Sequence, residues 1–136
     1  MAITLSDAVR NARLDAIETT IGTSAILKIR TGAAPSNVAA SSTGTVLATL
    51  NLPSDWMAAA SSGAKAKSGT WEDTSADASG TAAHFEITAS GGTVHLRGSV
   101  TATGGGGDLT INNTVFAAAQ AFSITSFTLT DGNAGS

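Results

Sequence analysis

Small side chains dominate this chain, and they limit the material from which it can build a core. Alanine, threonine, serine and glycine supply 77 of the 136 residues. Burial stabilises a fold by about 25 cal/mol per Å² of apolar surface, so the few large apolar side chains must contribute heavily. The aromatic ones are Trp56, Trp71, Phe85, Phe116, Phe122 and Phe127. The length suits one domain, and we expect a homo-oligomer, with a trimer as one option, to add burial that a single chain lacks.

Strand-like alternation runs through most of the chain after Gly22. Leu27 and Ile29 alternate with Lys28 and Arg30, as in a half-buried strand. Similar segments recur between turn signals about every 8–12 residues, which is typical of a sandwich or jelly roll. We therefore predict a mainly β protein: a β-sandwich or jelly-roll domain of about seven strands over residues 23–136, preceded by an N-terminal helical segment over residues 1–22.

The N-terminal segment has the signals of an amphipathic helix. Ser6 is a suitable N-cap and Gly22 a suitable stop. Apolar residues recur between them at steps of three and four, which predicts one apolar stripe. Its members are Leu5, Ala8, Val9, Ala12, Ala16 and Ile17. Such a helix either packs on the β domain or docks onto a neighbouring chain.

Two features near the end of the chain predict irregular structure. Phe122 and Ile124 share one strand face, whereas Phe127 and Leu129 fall on the other, so one extra residue near Thr125 would restore a common face as a β-bulge. Four consecutive glycines at 104–107, like the Ser- and Ala-rich segment 32–44, predict a flexible loop.

Charge and composition argue against several classes of function. Seven basic and ten acidic residues give a net charge of −3, with no basic patch for nucleic acid. No run approaches the roughly 20 apolar residues that span a bilayer, and the absence of cysteine excludes disulfides and thiolate chemistry. We therefore expect no nucleic-acid partner, no membrane span and synthesis in the cytoplasm.

Candidate catalytic and metal-binding residues are sparse. His84 and His95 lie on strands that should pair across a turn at Gly91 and Gly92, with Glu86 nearby, but solvated histidines explain this pattern better than a metal site does. The acidic residues between 72 and 77 are typical of an exposed turn. No G-x-S-x-G nucleophile or phosphate-binding loop is present. We expect no enzyme activity, no cofactor and no metal.

The two tryptophans are candidates for a partner contact. Core packing is the first interpretation, a subunit interface the second, and a carbohydrate-binding surface the third, although such surfaces usually carry several aromatic side chains and this chain has no tyrosine. Together with the apolar stripe they give a set of candidate partner-interface residues: Leu5, Val9, Ala12, Ile17, Trp56 and Trp71.

In several stretches the chain resembles small structural proteins from the virion-assembly regions of tailed bacteriophages and related prophages. The resemblance covers nearly the whole chain in sequence texture and includes no catalytic motif. The matching stretches are Leu14-Asp15-Ala16-Ile17-Glu18, IGTSAILKIRTGAAP (21–35), GTVLATLNLPSDWM (44–57), GTWEDTSADASGTAAHF (69–85), VTATGGGGDLTINNT (100–114) and ITSFTLTDGN (124–133).

The resemblance implies a protein present in many copies in a virion, most simply a capsid decoration or cement protein on the capsid surface. Its partners would then be the major capsid protein or other virion proteins. A tail, fibre or adsorption-apparatus component is the first alternative. A carbohydrate- or receptor-binding β-sandwich module is the second.

Overall fold

The computed structural model describes residues 3–132, and the predicted segments 1–22 and 23–136 extend beyond these at both ends. The chain opens with one helix, α1 (Asp7–Ile21). The side chain of Ser6 accepts a hydrogen bond from the N–H of Val9, and Gly22 ends the helix with a φ of 95°. Both predicted helix signals are confirmed.

Short strands joined by turns and loops follow the helix, so the prediction of a mainly β protein is confirmed. They are β1 (Ile26–Arg30), β2 (Val46–Asn51), β3 (Ala64–Ala66), β4 (Trp71–Asp73), β5 (Gly80–Thr81), β6 (His84–Thr88), β7 (Val94–Ala102), β8 (Leu109–Ile111), β9 (Val115–Phe116), β10 (Phe122–Ile124) and β11 (Thr128–Thr130). Five of them form one sheet, whereas the other six form three two-stranded pairs. The predicted sandwich or jelly roll of about seven strands is not confirmed.

The main sheet has the strand order β2-β1-β6-β7-β8. Leu27 and Ile29 are fully buried on one face of β1, as their alternation predicts. β6 and β7 form the predicted antiparallel hairpin around Gly91 and Gly92. All five residues of β6 are buried, including His84 and Glu86 on the face opposite the core, so both faces of the sheet are covered there.

The glycine run at 104–107 makes an unusually tight connection. β7 and β8 are parallel, with Val100 beside Leu109, and only residues 103–108 join them, whereas parallel strands usually need a dozen residues or more. A Cβ atom on Gly105 or Gly107 would lie 2.7 or 2.8 Å from Oγ1 of Thr101. The run therefore packs against β7, where composition alone predicts an open loop.

The segments 64–73 and 122–130 form a second, interrupted antiparallel ladder. β10 pairs with β4, and β11 pairs with β3. Between these two pairs, residues 68–70 lie opposite the two residues 125–126. A one-residue irregularity is thus present where the side-chain parity predicts it, but the extra residue belongs to the opposing strand.

A row of aromatic rings joins this ladder to the main sheet. The ring centroids of Trp56 and Trp71 are 6.0 Å apart, and Phe127 lies 5.6 Å from both Trp71 and Phe85. The indole N–H of Trp56 donates to the carbonyl of Gly22 over 3.0 Å. Both tryptophans have no exposed surface. The structure therefore supports core packing, the first of the three interpretations of these residues. Neither tryptophan side chain presents a surface to a partner or a glycan.

Candidate functional site

α1 is attached to the β domain through the buried side chains of Leu14 and Ile21 and through several polar side chains. One side of the helix accepts hydrogen bonds from backbone N–H groups of the segment 57–63. These bonds run from Gly63 to Asn11 over 2.8 Å, from Ala60 to Asp15 over 3.0 Å, and from Met57 to Glu18 over 3.3 Å. Because backbone N–H groups demand partners when they are covered, these contacts fix the orientation of the helix.

Lys65 on β3 completes this attachment. Its ammonium lies 2.7 Å from Asp15 and 2.9 Å from Glu18, and it also donates to the carbonyl of Ala58 over 2.9 Å. Burial alone would lower the pKa of Lys65, but the hydrogen bonds to Asp15 and Glu18 outweigh burial and raise it. The hydrogen bond from Lys65 likewise lowers the pKa of Asp15. Both charges are therefore maintained at neutral pH.

The same helix is tied to the far end of the chain. The guanidinium of Arg10 donates to the carbonyl of Asp131 over 2.8 Å, and Arg13 lies 3.1 Å from the Asp131 carboxylate. Arg10 is buried although it is charged, and it occupies space against Gly63 that a Cβ atom would take. The first element of the fold and the residue that follows its last strand are thus held together by charged groups.

The apolar stripe of α1 faces solvent. Val9 is 45% exposed, and both Ala12 and Ala16 are exposed, whereas Leu5 is half-buried. Ile17 is different, because it turns inward and packs against the core. The helix therefore buries a second apolar row, Leu14, Ile17 and Ile21, against its own domain, while Val9, Ala12 and Ala16 remain on the solvent side.

The segment 32–44 lies over the outer face of the main sheet. Its ends meet, because the N–H of Thr31 donates to the carbonyl of Thr45 over 3.1 Å and the N–H of Thr45 donates to the hydroxyl of Thr31 over 2.9 Å. Arg97 on β7 then donates from Nη1 to three carbonyls of the segment, those of Asn37, Val38 and Ala40. The predicted flexible loop is a compact loop with closed ends, held at its centre by one guanidinium.

Glu86 anchors this loop from below. Its carboxylate accepts hydrogen bonds from Arg30 over 2.9 Å, from Ser42 over 2.8 Å and from Arg97 over 3.3 Å. Burial raises the pKa of Glu86, but the hydrogen bond from Ser42 and the two guanidinium groups together hold that pKa below its usual value. The carboxylate is therefore ionised at neutral pH and links β1, β7 and the loop.

His84 is buried beneath the same loop. Its Nδ1 lies 2.6 Å from the carbonyl oxygen of Gly32, while its Nε2 is buried without a hydrogen-bond partner in the described part of the chain. His95 is exposed, and Glu86 is engaged by arginines. Residues 3–132 contain no group of three or more side chains arranged to hold a metal ion.

An open groove runs between this loop and β7. Residues 33–38 form one wall and residues 95–99 the other, with His84 and Asp108 also lining it. Its volume is about 720 Å³, within the usual range for small-molecule sites. The sequence patterns gave no sign of this groove, because its walls come from segments 60 residues apart that the hydrogen bonds of Arg97, Glu86 and His84 bring together.

The acidic residues between 72 and 77 support the edge of the main sheet. Asp73 accepts a hydrogen bond from the N–H of Thr49 over 2.9 Å, and Asp77 accepts one from the Thr49 hydroxyl over 2.7 Å. Because these carboxylates bind the outer edge of β2, they complete the hydrogen bonding of an edge strand.

No helix within residues 3–132 is both long and apolar enough to cross a membrane. A scan against family models, a search of curated proteins and a search of solved structures each gave no match.

Proposed function

We propose that this protein is a non-catalytic structural component of a virion, a decoration or cement protein that binds the assembled head through the outer face of α1. The observation that carries the proposal is the exposed part of the apolar stripe, Val9, Ala12 and Ala16, which the domain leaves uncovered. The resemblance to phage assembly proteins suggests the partner that would bind this stripe, namely a capsid protein in the assembled shell.

The attachment of α1 favours this role. The polar contacts of Asn11, Asp15 and Glu18 hold the helix rigidly, so its outer face needs little ordering when it binds. Small side chains at Ala12 and Ala16 permit close approach of a partner backbone, and burying the exposed part of Val9 contributes roughly 1 kcal/mol per copy.

Such a protein would act by mass action. A ligand that binds the assembled shell and not the free capsid subunits shifts the equilibrium toward the shell. Many copies add small contributions, so modest affinity at each position is sufficient. A symmetric homo-oligomer, for example a trimer, would place several α1 faces on the shell together and raise the effective affinity.

The test uses particles made by cells that encode this chain. Val9→Asp places a charge in the stripe, and Val115→Asp is a matched control because Val115 is 60% exposed on β9, away from the helix. We expect V9D to lower the number of copies per purified particle at least tenfold, and V115D to leave it unchanged. Equal occupancy for V9D and wild type, with both folded by circular dichroism, would remove α1 from the mechanism.

Cryo-electron microscopy of the same particles tests the location. Density spread over the icosahedral shell supports the decoration role. Density confined to the tail or its tip would overturn it in favour of a tail or adsorption component.

A further inference from the structure

The groove between the 32–44 loop and β7 contains a polar atom that the fold leaves unsatisfied. Nε2 of His84 is buried and has no hydrogen-bond partner among residues 3–132. His84 lines the groove, and only 1% of its surface is exposed. An unpaired polar atom at such a depth costs roughly 1–3 kcal/mol. A group that supplied the missing hydrogen bond would recover part of that free energy on binding.

The hydrogen bond at the other ring nitrogen defines what His84 can offer. A carbonyl oxygen only accepts, so Nδ1 carries the proton that is donated to Gly32 over 2.6 Å. In the neutral ring Nε2 is then a hydrogen-bond acceptor. A ligand that binds Nε2 must therefore supply a hydrogen-bond donor.

Asp108 offers acceptors close by. His84 pairs directly with Ser99 across the β6–β7 ladder, and Oδ2 of Asp108 accepts from both the N–H and the hydroxyl of Ser99, over 2.9 and 3.1 Å. The carboxylate retains further lone pairs, on Oδ1 above all. Two acceptor groups therefore line neighbouring positions of the groove.

The one guanidinium in the groove has no donor to spare. Arg97 donates from Nε to Glu86, from Nη1 to three loop carbonyls, and from Nη2 to Ser42 and Glu86. These contacts account for all five of its N–H groups. An anionic ligand would find no free cationic donor there and would meet the charge of Asp108.

A cationic ligand is not favoured either. Arg30 pairs with His84 in the β1–β6 ladder, and Arg97 lies on the neighbouring strand. Glu86 and Asp108 together balance these two positive charges. The groove therefore carries no net negative charge that would favour an ammonium group over a neutral ligand.

We propose that this groove binds a neutral, hydroxyl-rich ligand, a saccharide, whose hydroxyl groups donate to Nε2 of His84 and to the carboxylate of Asp108. Pro35 and Val38, which line the groove, supply apolar surface for the carbon face of the sugar ring. The ring of His84 is covered, so residues 33–36, which lie outside the Arg97 hydrogen bonds, shift outward when the ligand enters. This inference is independent of the proposed docking through α1, which uses another surface.

The test is a titration of ¹⁵N-labelled protein with a panel of neutral monosaccharides at millimolar concentration, namely glucose, galactose, mannose, rhamnose and N-acetylglucosamine. We expect at least one sugar to shift the amide signals of residues 33–38 and 95–99. It should also shift the side-chain Nε2 resonance of His84 in the wild-type protein, a readout that requires no variant. His84→Phe should weaken binding about tenfold, the effect of one lost hydrogen bond to a buried group, and His95→Phe, at the exposed histidine of the same groove, less than threefold.

Three results would overturn the proposal. The first is the absence of shifts with every sugar, and the second is sugar-induced shifts that leave the His84 Nε2 resonance unchanged. The third is stronger binding of methylammonium or inorganic phosphate at the same amides, since either would assign the groove to a charged ligand. V9D should bind the sugar like wild type, and H84F should occupy particles like wild type, so the two proposals fail separately.

Discussion

Glu86→Gln tests whether the buried ionic cluster under the 32–44 loop holds the fold together. The two carboxylate oxygens of Glu86 have different partners. Oε1 accepts a hydrogen bond from Arg30, whereas Oε2 accepts hydrogen bonds from Ser42 and Arg97. Glutamine has one oxygen, so its NH₂ group must face donors on one side, and two buried guanidinium groups lose their counter-charge.

The expected cost follows from the burial of the cluster. The side chains of Glu86, Arg97 and Arg30 are 2%, 6% and 13% exposed. Removing one member of a buried ion pair costs roughly 3–5 kcal/mol, and we take the lower limit because Arg30 reaches solvent. A loss of about 3 kcal/mol in the free energy of unfolding corresponds to a fall in Tm of about 10 °C for a chain of this size.

The assay is urea unfolding followed by the fluorescence of Trp56 and Trp71, which are both buried. Glu72→Gln is the matched control, because Glu72 is exposed on β4. It should change the free energy of unfolding by less than about 0.5 kcal/mol. A cost below about 1 kcal/mol for E86Q at an unchanged m-value would show that the cluster is not a stabilising anchor.

The pH dependence gives a second readout for the same variant. The pKa of Glu86 in the folded protein lies below its usual 4.5. Its ionised form therefore stabilises the fold fully above pH 4.5, and this contribution is lost as the pH falls through the lower, folded-state pKa. The difference in stability between wild type and E86Q should shrink over that acidic range. A difference that stays constant from neutral pH into that range would contradict the assignment.

Three further predictions concern other parts of the fold. Gly107→Ala places a Cβ atom against β7 and should cost roughly 1–3 kcal/mol of stability in urea unfolding, whereas Gly91→Ala, with open space around it, should cost little. Trp56→Phe leaves the carbonyl of Gly22 without its donor and should cost roughly 1–3 kcal/mol by the same assay; an unchanged unfolding midpoint would contradict the role of that bond. The pKa of Lys65 is raised above its usual 10.5, so its contribution is complete below pH 10.5 and is lost as the pH rises through the folded-state pKa. Lys65→Met should abolish that alkaline loss of stability in pH-dependent unfolding and should also destabilise the protein at neutral pH, by roughly 1–2 kcal/mol.

Local signals in the sequence were sufficient for the regular elements. Ser6 and Gly22 mark the two ends of α1, because capping residues act within one turn of the helix. Leu27 and Ile29 mark β1 because a half-buried strand alternates, and two glycines mark the turn of the β6–β7 hairpin.

The buried charges could not be predicted in the same way. In HFEIT, Glu86 occupies the polar position of an alternating strand and predicts a solvated face. It is buried because the 32–44 loop folds over it, and that depends on partners distant in the chain, Ser42 and Arg97. The same holds for Lys65, because its carboxylate partner Asp15 lies 50 residues away in the chain.

The helix shows what a periodic pattern leaves open. The spacing of Val9, Ala12 and Ala16 does define an apolar stripe, but periodicity does not say which side of a helix meets its own domain. Burial of Leu14 and Ile21 and the polar contacts of Asn11 and Asp15 decide that, and they direct the stripe outward.

The bond between Arg10 and Asp131 spans 121 positions of the chain. A second attachment of α1 is nearer in the chain, since Lys65 lies 50 positions from Asp15. Contacts as distant as that between Arg10 and Asp131 close slowly, because the chain entropy between them must be lost first. During synthesis the helix can therefore dock on the segment 57–65 first, and its bonds to Asp131 follow only when residue 131 has emerged.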